Sequence, residues 1–150
     1  DLEAARSHQE RLSILLAVFL VGGFAWGIHK GGLEVGGELI LRWVLITGAG
    51  GALGCLAAGG HPLSIIAAFI ASPLTPLHPA LSSGMVSAGV EAWVRKPTYV
   101  DFLSLRADTS HVSGWWRNRV ARVFVNFILT NAGTAIAVWI AGAAVIHKLG

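Results

Sequence analysis

The sequence predicts an all-α membrane protein: three transmembrane helices plus a proline-broken pair of half-helices that form a re-entrant hairpin. Three observations carry that prediction. Hydrophobic residues make up 54% of the chain and charged residues only 13%, against about 25% charged in an ordinary soluble domain. A chain of 150 residues has too much surface to hide so apolar a composition from water. Long uncharged runs recur along it, and Pro73, Pro76 and Pro79 stand together inside one of its oily segments, where an unbroken helix could not hold them.

Residues 1–11 are polar and charged, "DLEAARSHQER". They predict a linker, helical on its approach to the bilayer, leading from a soluble domain that this sequence lacks. The first span is expected over residues 12–28, where Leu12 to Ile28 gives 17 residues without a charge. A second is expected over 39–60, with an uncharged run of 18 from Trp43 to Gly60, and a third over 120–146, with 24 from Val123 to Ile146. A crossing takes about 20 apolar residues, within roughly 17 to 25. Helices of a soluble core are the alternative reading of each run. The six tryptophans, Trp26, Trp43, Trp93, Trp115, Trp116 and Trp139, mostly lie near the ends of apolar runs, where indole rings favour the headgroup region.

The stretch from His61 to Trp93 is too short for two full spans and a turn. Its prolines push Ser72, Thr75 and His78 toward extended backbone. Half-helices are therefore expected over 62–72 and 81–94, with Pro73, Pro76, His78 and Pro79 in the turn between them. The first would rise about 16 Å at 1.5 Å per residue, half of a 30 Å hydrocarbon core.

Charge orients these elements. Six of the 11 Lys and Arg residues fall between Arg95 and Arg122, against Asp101 and Asp108, so 95–119 reads as a basic cytoplasmic loop. Arg6 and Arg11 put the amino terminus on the same side. Two spans return the chain to the cytoplasm near His61, so a stretch that begins and ends inside must dip in and turn back. A broken span is the competing topology and would put the basic loop outside. Irregular backbone at membrane depth has to be covered by protein or line a water-filled cavity.

Gly23 and Gly27 in the first span, and Gly50 and Gly54 in the second, form GxxxG pairs that let helices approach closely, within one chain or in a homodimer. In the last span Arg119, Arg122, Asn126, Thr130, Gly133 and Ala137 follow steps of three and four, a stripe that should face protein. Glu91 is the intramembrane carboxylate, a functional candidate by type. It is expected to meet Arg122 and Asn126, and Arg95 four residues on in the favourable acid-first order; a structural ion pair is the plainer role. Asn131 completes the polar group.

Other chemistries find little support. Cys55 is the single cysteine, which rules out an internal disulfide framework, and no Cys/His spacing matches a zinc site. "TGAGGALG" (Thr47 to Gly54) lacks the strand before it that a phosphate loop needs. Ser82, Ser83 and Ser87 have no GxSxG around them, and such hydroxyls serve helix contacts. No cofactor, metal or nucleic-acid partner is expected.

"HPLSIIAAFIASPLTPLHP" (His61 to Pro79), "GMVSAGVEAWVRKPTYVDF" (Gly84 to Phe102), "WWRNRVARV" (Trp115 to Val123) and "LTNAGTAI" (Leu129 to Ile136) together resemble the carboxy-terminal membrane domain of the TraB/PrgY family, the pheromone-shutdown-like proteins of archaea and bacteria. The resemblance implies a longer parent with an amino-terminal soluble domain, grouped with Tiki-like metallopeptidases through GxxH and related motifs. "GIHK" (Gly27 to Lys30) and "GGH" (Gly59 to His61) do not reproduce a GxxH, so no catalytic residue carries over. The best-known members restrict secreted peptide pheromones. The expected role is a non-catalytic, multi-pass membrane domain that anchors a peptidase-like domain and binds lipid, peptide or a second copy. Transport of a small solute or peptide along the hairpin is the alternative, against which stands the absence of matching inverted halves.

Overall fold

The computed structural model describes residues 2–77 and 82–149. His78 and Pro79, two of the four residues expected in the hairpin turn, lie outside the described residues. All secondary structure among the described residues is helical.

Helix α1 runs Leu2–Ala57 and leaves helical geometry once, at Gly32, where φ is 76° and ψ is −174°. That region is open essentially to glycine alone, so Gly32 is the point at which the helix can turn. It doubles back there: the rings of Phe24 and Trp43 stand 6.3 Å apart, whereas unbroken helix would separate those positions by about 28 Å. Two helices are long and apolar enough to cross a membrane, Leu2–Ala57 and Arg119–Lys148, where the sequence predicted three. The connection expected near His29 to Glu38 is itself helical on both sides of Gly32. The first two apolar runs are therefore arms of one interrupted helix.

Helix α2, Pro62–Ala71, starts with proline in its first turn, where the missing N–H costs nothing. The Nδ1 atom of the preceding His61 accepts from the Leu63 amide at 3.2 Å. A short 3-10 segment, Ser72–Leu77, follows with Pro76 inside it. Helix α3, Ser83–Arg95, ends on Lys96 in the left-handed region at φ 47°, with Pro97 beyond to prevent its continuing. The two helices lie antiparallel: Ser64 meets Glu91 at one end of the pair, and the Ser83 amide meets Thr75 at the other.

The stretch read as a basic loop holds two further helices, α4 (Tyr99–Asp108) and α5 (Gly114–Arg117). A reciprocal capping box starts α4: Thr98 caps the Asp101 amide while the Asp101 side chain accepts from Thr98, which satisfies two donors at once. Helix α6, Arg119–Leu149, then runs the length of the molecule. Contacts in order along it, beginning with Trp116 just before it in α5, set the depth of everything else. Trp116 reaches Ala57, Asn126 reaches Cys55, Thr134 reaches Ser72, and Lys148 reaches Glu38. One end of the molecule therefore holds His61, Arg95 and α4, and the other holds Gly32 and Glu38.

The second arm of α1 lies along α6 through glycine. A Cβ at Gly50 would strike Ala137 and the Gly133 carbonyl, and one at Gly54 the Leu129 carbonyl. A Cβ at Gly23 would meet nothing, so the first GxxxG pair makes no such close crossing at that residue; Gly27 is buried.

Leu20, Leu39, Trp43, Val125 and Val145 are buried, but many polar residues are buried with them. The buried set includes Thr47, Ser64, Ser72, Ser83, Ser87, Glu91, Asn126, Thr130 and Thr134, with alanines between them. Leu15, Val18, Leu41, Leu45, Leu53, Ile66, Ile70, Ile136 and Trp139 stand exposed. In water the informative exceptions are buried polar groups and large exposed apolar patches; here both are prominent. One compact apolar cluster remains, Leu20, Trp43 and Ala141 with Phe24, Ile46 and Val138 packed on it.

Candidate functional site: a buried polar seam closed by Glu91

Ser83, Ser87 and Glu91 recur every four residues on α3, and Asn126, Thr130 and Thr134 do so on α6, so each trio shares one helix face. The two faces meet. Ser83 and Thr134 hydroxyls lie 2.6 Å apart, and Thr134 also bonds Ser72 at 3.0 Å. Ser87 donates to Asn126 Oδ1 at 2.7 Å, Thr130 donates to the same oxygen at 3.2 Å, and Asn126 Nδ2 donates to Cys55 Sγ at 3.4 Å. Each of these polar atoms finds a partner, as buried ones must to offset lost solvation.

Glu91 closes the seam at the end carrying α4. It is 1% exposed, yet its charge is held. Oε2 accepts from the His61 amide at 2.8 Å and from Ser64 Oγ at 2.9 Å. Oε1 lies 2.8 Å from Arg95 Nε, at ion-pair distance but without the alignment of a hydrogen bond, so this buried oxygen receives none. The carboxylate also sits at the start of α2, where the helix dipole favours negative charge. Chemically this is a clamp: one side chain ties the first residue before α2 to α3, while Arg95, partly exposed, shields it from the adjoining surface.

The structure brings together only part of the polar cluster expected from sequence. Arg95 pairs with Glu91, but Arg122 and Asn126 do not reach it. The Arg122 guanidinium instead donates twice to the Trp116 carbonyl, from Nε at 2.7 Å and from a terminal nitrogen, because α5 offers a closer acceptor. Asn126 is occupied by the seam. Arg119 is exposed. Asn131 Oδ1 accepts from Ser82 Oγ at 2.8 Å and the Gly84 amide at 2.9 Å, fixing the start of α3. In the turn, the Pro73 carbonyl accepts from Trp43 Nε1 at 3.2 Å, and Pro76 is buried.

Sequence reasoning missed several partners. Asn118 is 2% exposed and joins three elements. Its Nδ2 donates to the Asp101 carbonyl at 2.7 Å and to Asp108 Oδ2 at 2.9 Å, while Oδ1 accepts from the Val120 and Ala121 amides. An asparagine just before a helical run is a recognisable cap signal. The bonds from Asn118 and Ser104 hold the Asp108 carboxyl below its ordinary range, and those from Thr98 do the same for Asp101. Ser64, Cys55 and the His61 amide carried no such signal. Among the described residues no group of three or more His, Cys, Asp or Glu is placed to hold a metal ion.

Comparison with known proteins adds a family. The family model "TraB family protein, C-terminal domain" matches residues 9–150. An uncharacterized protein of Methanocaldococcus jannaschii is 29% identical over 103 residues, covering 67% of this chain and 26% of the relative. The chain thus spans about a quarter of the length of that curated relative. No solved structure matches it.

Proposed function

We propose a function from the premise that the chain belongs to the TraB family, as its C-terminal domain: it is an integral, multi-pass membrane domain, without catalytic chemistry of its own, that holds the rest of a longer protein at the bilayer. The observation that carries this reading is a buried set of Ser, Thr, Asn and Glu side chains beneath a surface rich in exposed Leu, Ile, Val and Trp. Lipid is the solvent that makes such an arrangement stable, since apolar side chains cost nothing there and polar ones must be satisfied internally.

In this reading the two arms of α1 and the single helix α6 make three crossings. Residues 33–57 rise about 37 Å, enough for a 30 Å core. Helices α2 and α3 enter and leave from the same end, a re-entrant hairpin whose irregular 3-10 segment is covered by α1 and α6. The end holding Arg95, Arg106, Arg117 and Arg119 faces the cytoplasm by the positive-inside rule, and the polar residues 2–11 start there too. A peptidase-like soluble domain of the parent protein would be carried on that face.

The test is extraction and labelling. Membranes bearing the chain should retain it through alkaline carbonate. Val112→Cys should react with a membrane-impermeant maleimide only after the cytoplasmic face is opened, and Glu34→Cys should react from outside. Release by carbonate would sink the membrane reading, and reversed labelling would sink the topology. A second reading, transport along the hairpin, draws on two groups of buried hydroxyls and amides, Ser87 with Asn126 and Thr130, and Ser83 with Thr134 and Ser72. Solute flux in liposomes that vanishes in Glu91→Gln would select it over anchoring.

A further inference from the structure

Helix α4 wears its amphipathicity the wrong way round for water. At 100° per residue, Asp101, Ser104, Leu105 and Asp108 share the side turned to the body, where they are partly buried. Asn118 reaches the Asp101 carbonyl and the Asp108 carboxylate from there. The opposite arc, about 160° wide, carries Tyr99, Val100, Phe102 and Leu103, each more than half exposed, with Tyr99 at 74%. Arg106 stands in the same arc and is exposed. The face left uncovered is thus the apolar one.

Charge around this face has one sign. Both acids of the segment are engaged on the inner side, Asp101 by Thr98 and Asp108 by Ser104 and Asn118. Lys96 and Arg106 are exposed; Arg117 and Arg119, also exposed, act on the inner acids Asp108 and Asp101. Trp93, near the end of α3, is 73% exposed.

We infer that α4 is an interfacial helix docked on an anionic phospholipid surface, its Tyr99 to Leu103 face entering the headgroup boundary while the surrounding cations meet lipid phosphates. This rests on the membrane reading above and adds the lipid class and the element that reads it. An acidic protein would match the cations, but lipid also takes up the exposed Tyr99, Val100, Phe102 and Leu103 side chains. Amphipathic helices of this kind bind by buried apolar area plus attraction to anionic lipid, and each basic residue near such a surface contributes about fivefold in affinity.

The experiment uses the whole chain carrying Leu103→Cys, labelled with an environment-sensitive fluorophore; buried Cys55 stays unlabelled. The protein is reconstituted into phosphatidylcholine vesicles and into phosphatidylcholine vesicles containing phosphatidylglycerol, and quenching by neutral acrylamide is measured. Quenching several-fold weaker with phosphatidylglycerol, reversed by high salt, is the expected result. Arg106→Gln and Lys96→Gln should each cut the preference about fivefold. Equal quenching in both vesicles, with the chain still inserted, overturns the inference and leaves the membrane reading intact. Protection in neutral lipid and detergent alike, with a crosslinked dimer, assigns the face to a second copy and also overturns it. Failure to insert into either vesicle is the failure of the membrane reading itself.

Discussion

The His61 amide donates to the Glu91 carboxylate over 2.8 Å, joining the residue that opens the hairpin to the helix that closes it. Ser64 adds a second donor to the same oxygen at 2.9 Å. Removing the carboxylate would leave two buried donors unpaired and Arg95 without its counter-charge. Glu91→Ala should therefore cost about 3 kcal/mol, read as a lowered thermal midpoint in detergent. Glu91→Gln keeps an acceptor for both donors and loses only the ion pair, so it should cost about 1 kcal/mol. Equal losses in the two variants would show that the charge, and not the hydrogen bonding, holds the hairpin.

Asn118 works at the other junction, between α4, α5 and α6. Its Oδ1 caps the start of α6 and its Nδ2 holds α4. Loss of a cap alone costs about 1 kcal/mol. Asn118→Ala should speed hydrogen exchange across residues 98–113 while leaving the α1 and α6 amides near Thr134 unchanged. Uniformly faster exchange would mean that α4 and the helical core open as one unit.

Acid should loosen the same segment. The carboxyls of Asp101 and Asp108 sit below their ordinary range because Thr98, in one case, and Asn118 with Ser104, in the other, donate to the charged form. A group depressed in the folded state stabilises it above the unfolded value, and that stabilisation is lost as pH falls through the folded one. Protection of the α4 amides, corrected for the intrinsic pH dependence of exchange, should thus fall below the ordinary aspartate range and stay constant from there to neutrality. In Asn118→Ala the Asp108 titration followed by NMR should move up toward its ordinary value. An unmoved titration would mean that another group holds it down.

How much of this was legible follows from which interactions are local. The proline cluster, the four-residue spacing of Asn126 with Thr130, and the Glu91 to Arg95 step are written within one or two helical turns, and periodicity exposes them. The partners that complete them come from other elements: Ser64 from α2, Cys55 from α1, Trp116 from α5. Nothing in their own neighbourhoods marks them. Helix α4 was missed for a different reason. Its capping box, Thr98 and Asp101, was present, but a dense run of arginines was weighed as topology and read as loop. The turn at Gly32 was hidden because helix continues on both sides of one glycine.

Two glycines of the same motif class should behave oppositely. At Gly54 a Cβ would strike the Leu129 carbonyl and crowd Thr130, neither of which is a flexible side-chain tip. Gly54→Ala should force α1 from α6 and cost about 1–3 kcal/mol, the range for overpacking. At Gly23 the added methyl meets nothing, and alanine is the better helix former by up to about 1 kcal/mol. Gly23→Ala should leave the thermal midpoint unchanged or raise it. A loss at Gly23 as large as at Gly54 would reveal a close contact supplied by a second copy.

Gly32 is the position at which sequence decides topology. Its φ of 76° with an extended ψ of −174° is closed to residues bearing a Cβ, at a strain of about 1–3 kcal/mol. Open space surrounds the site, so a methyl there acts through backbone strain and not through a clash. Gly32→Ala has two ways to respond: keep the turn under strain, or straighten into continuous helix. Straightening would pull Phe24 from Trp43, whose rings now meet edge to face at 6.3 Å, and would break the apolar cluster with Ala141. The antiparallel arms bury enough apolar surface around Leu20 and Trp43 to outweigh that strain. The expected outcome is a lowered thermal midpoint with the Phe24 to Trp43 contact preserved, checked by the nuclear Overhauser effect between the two rings in the Gly32→Ala chain. Loss of that effect would show that Gly32 alone, and not the packing of the arms, holds the hairpin closed.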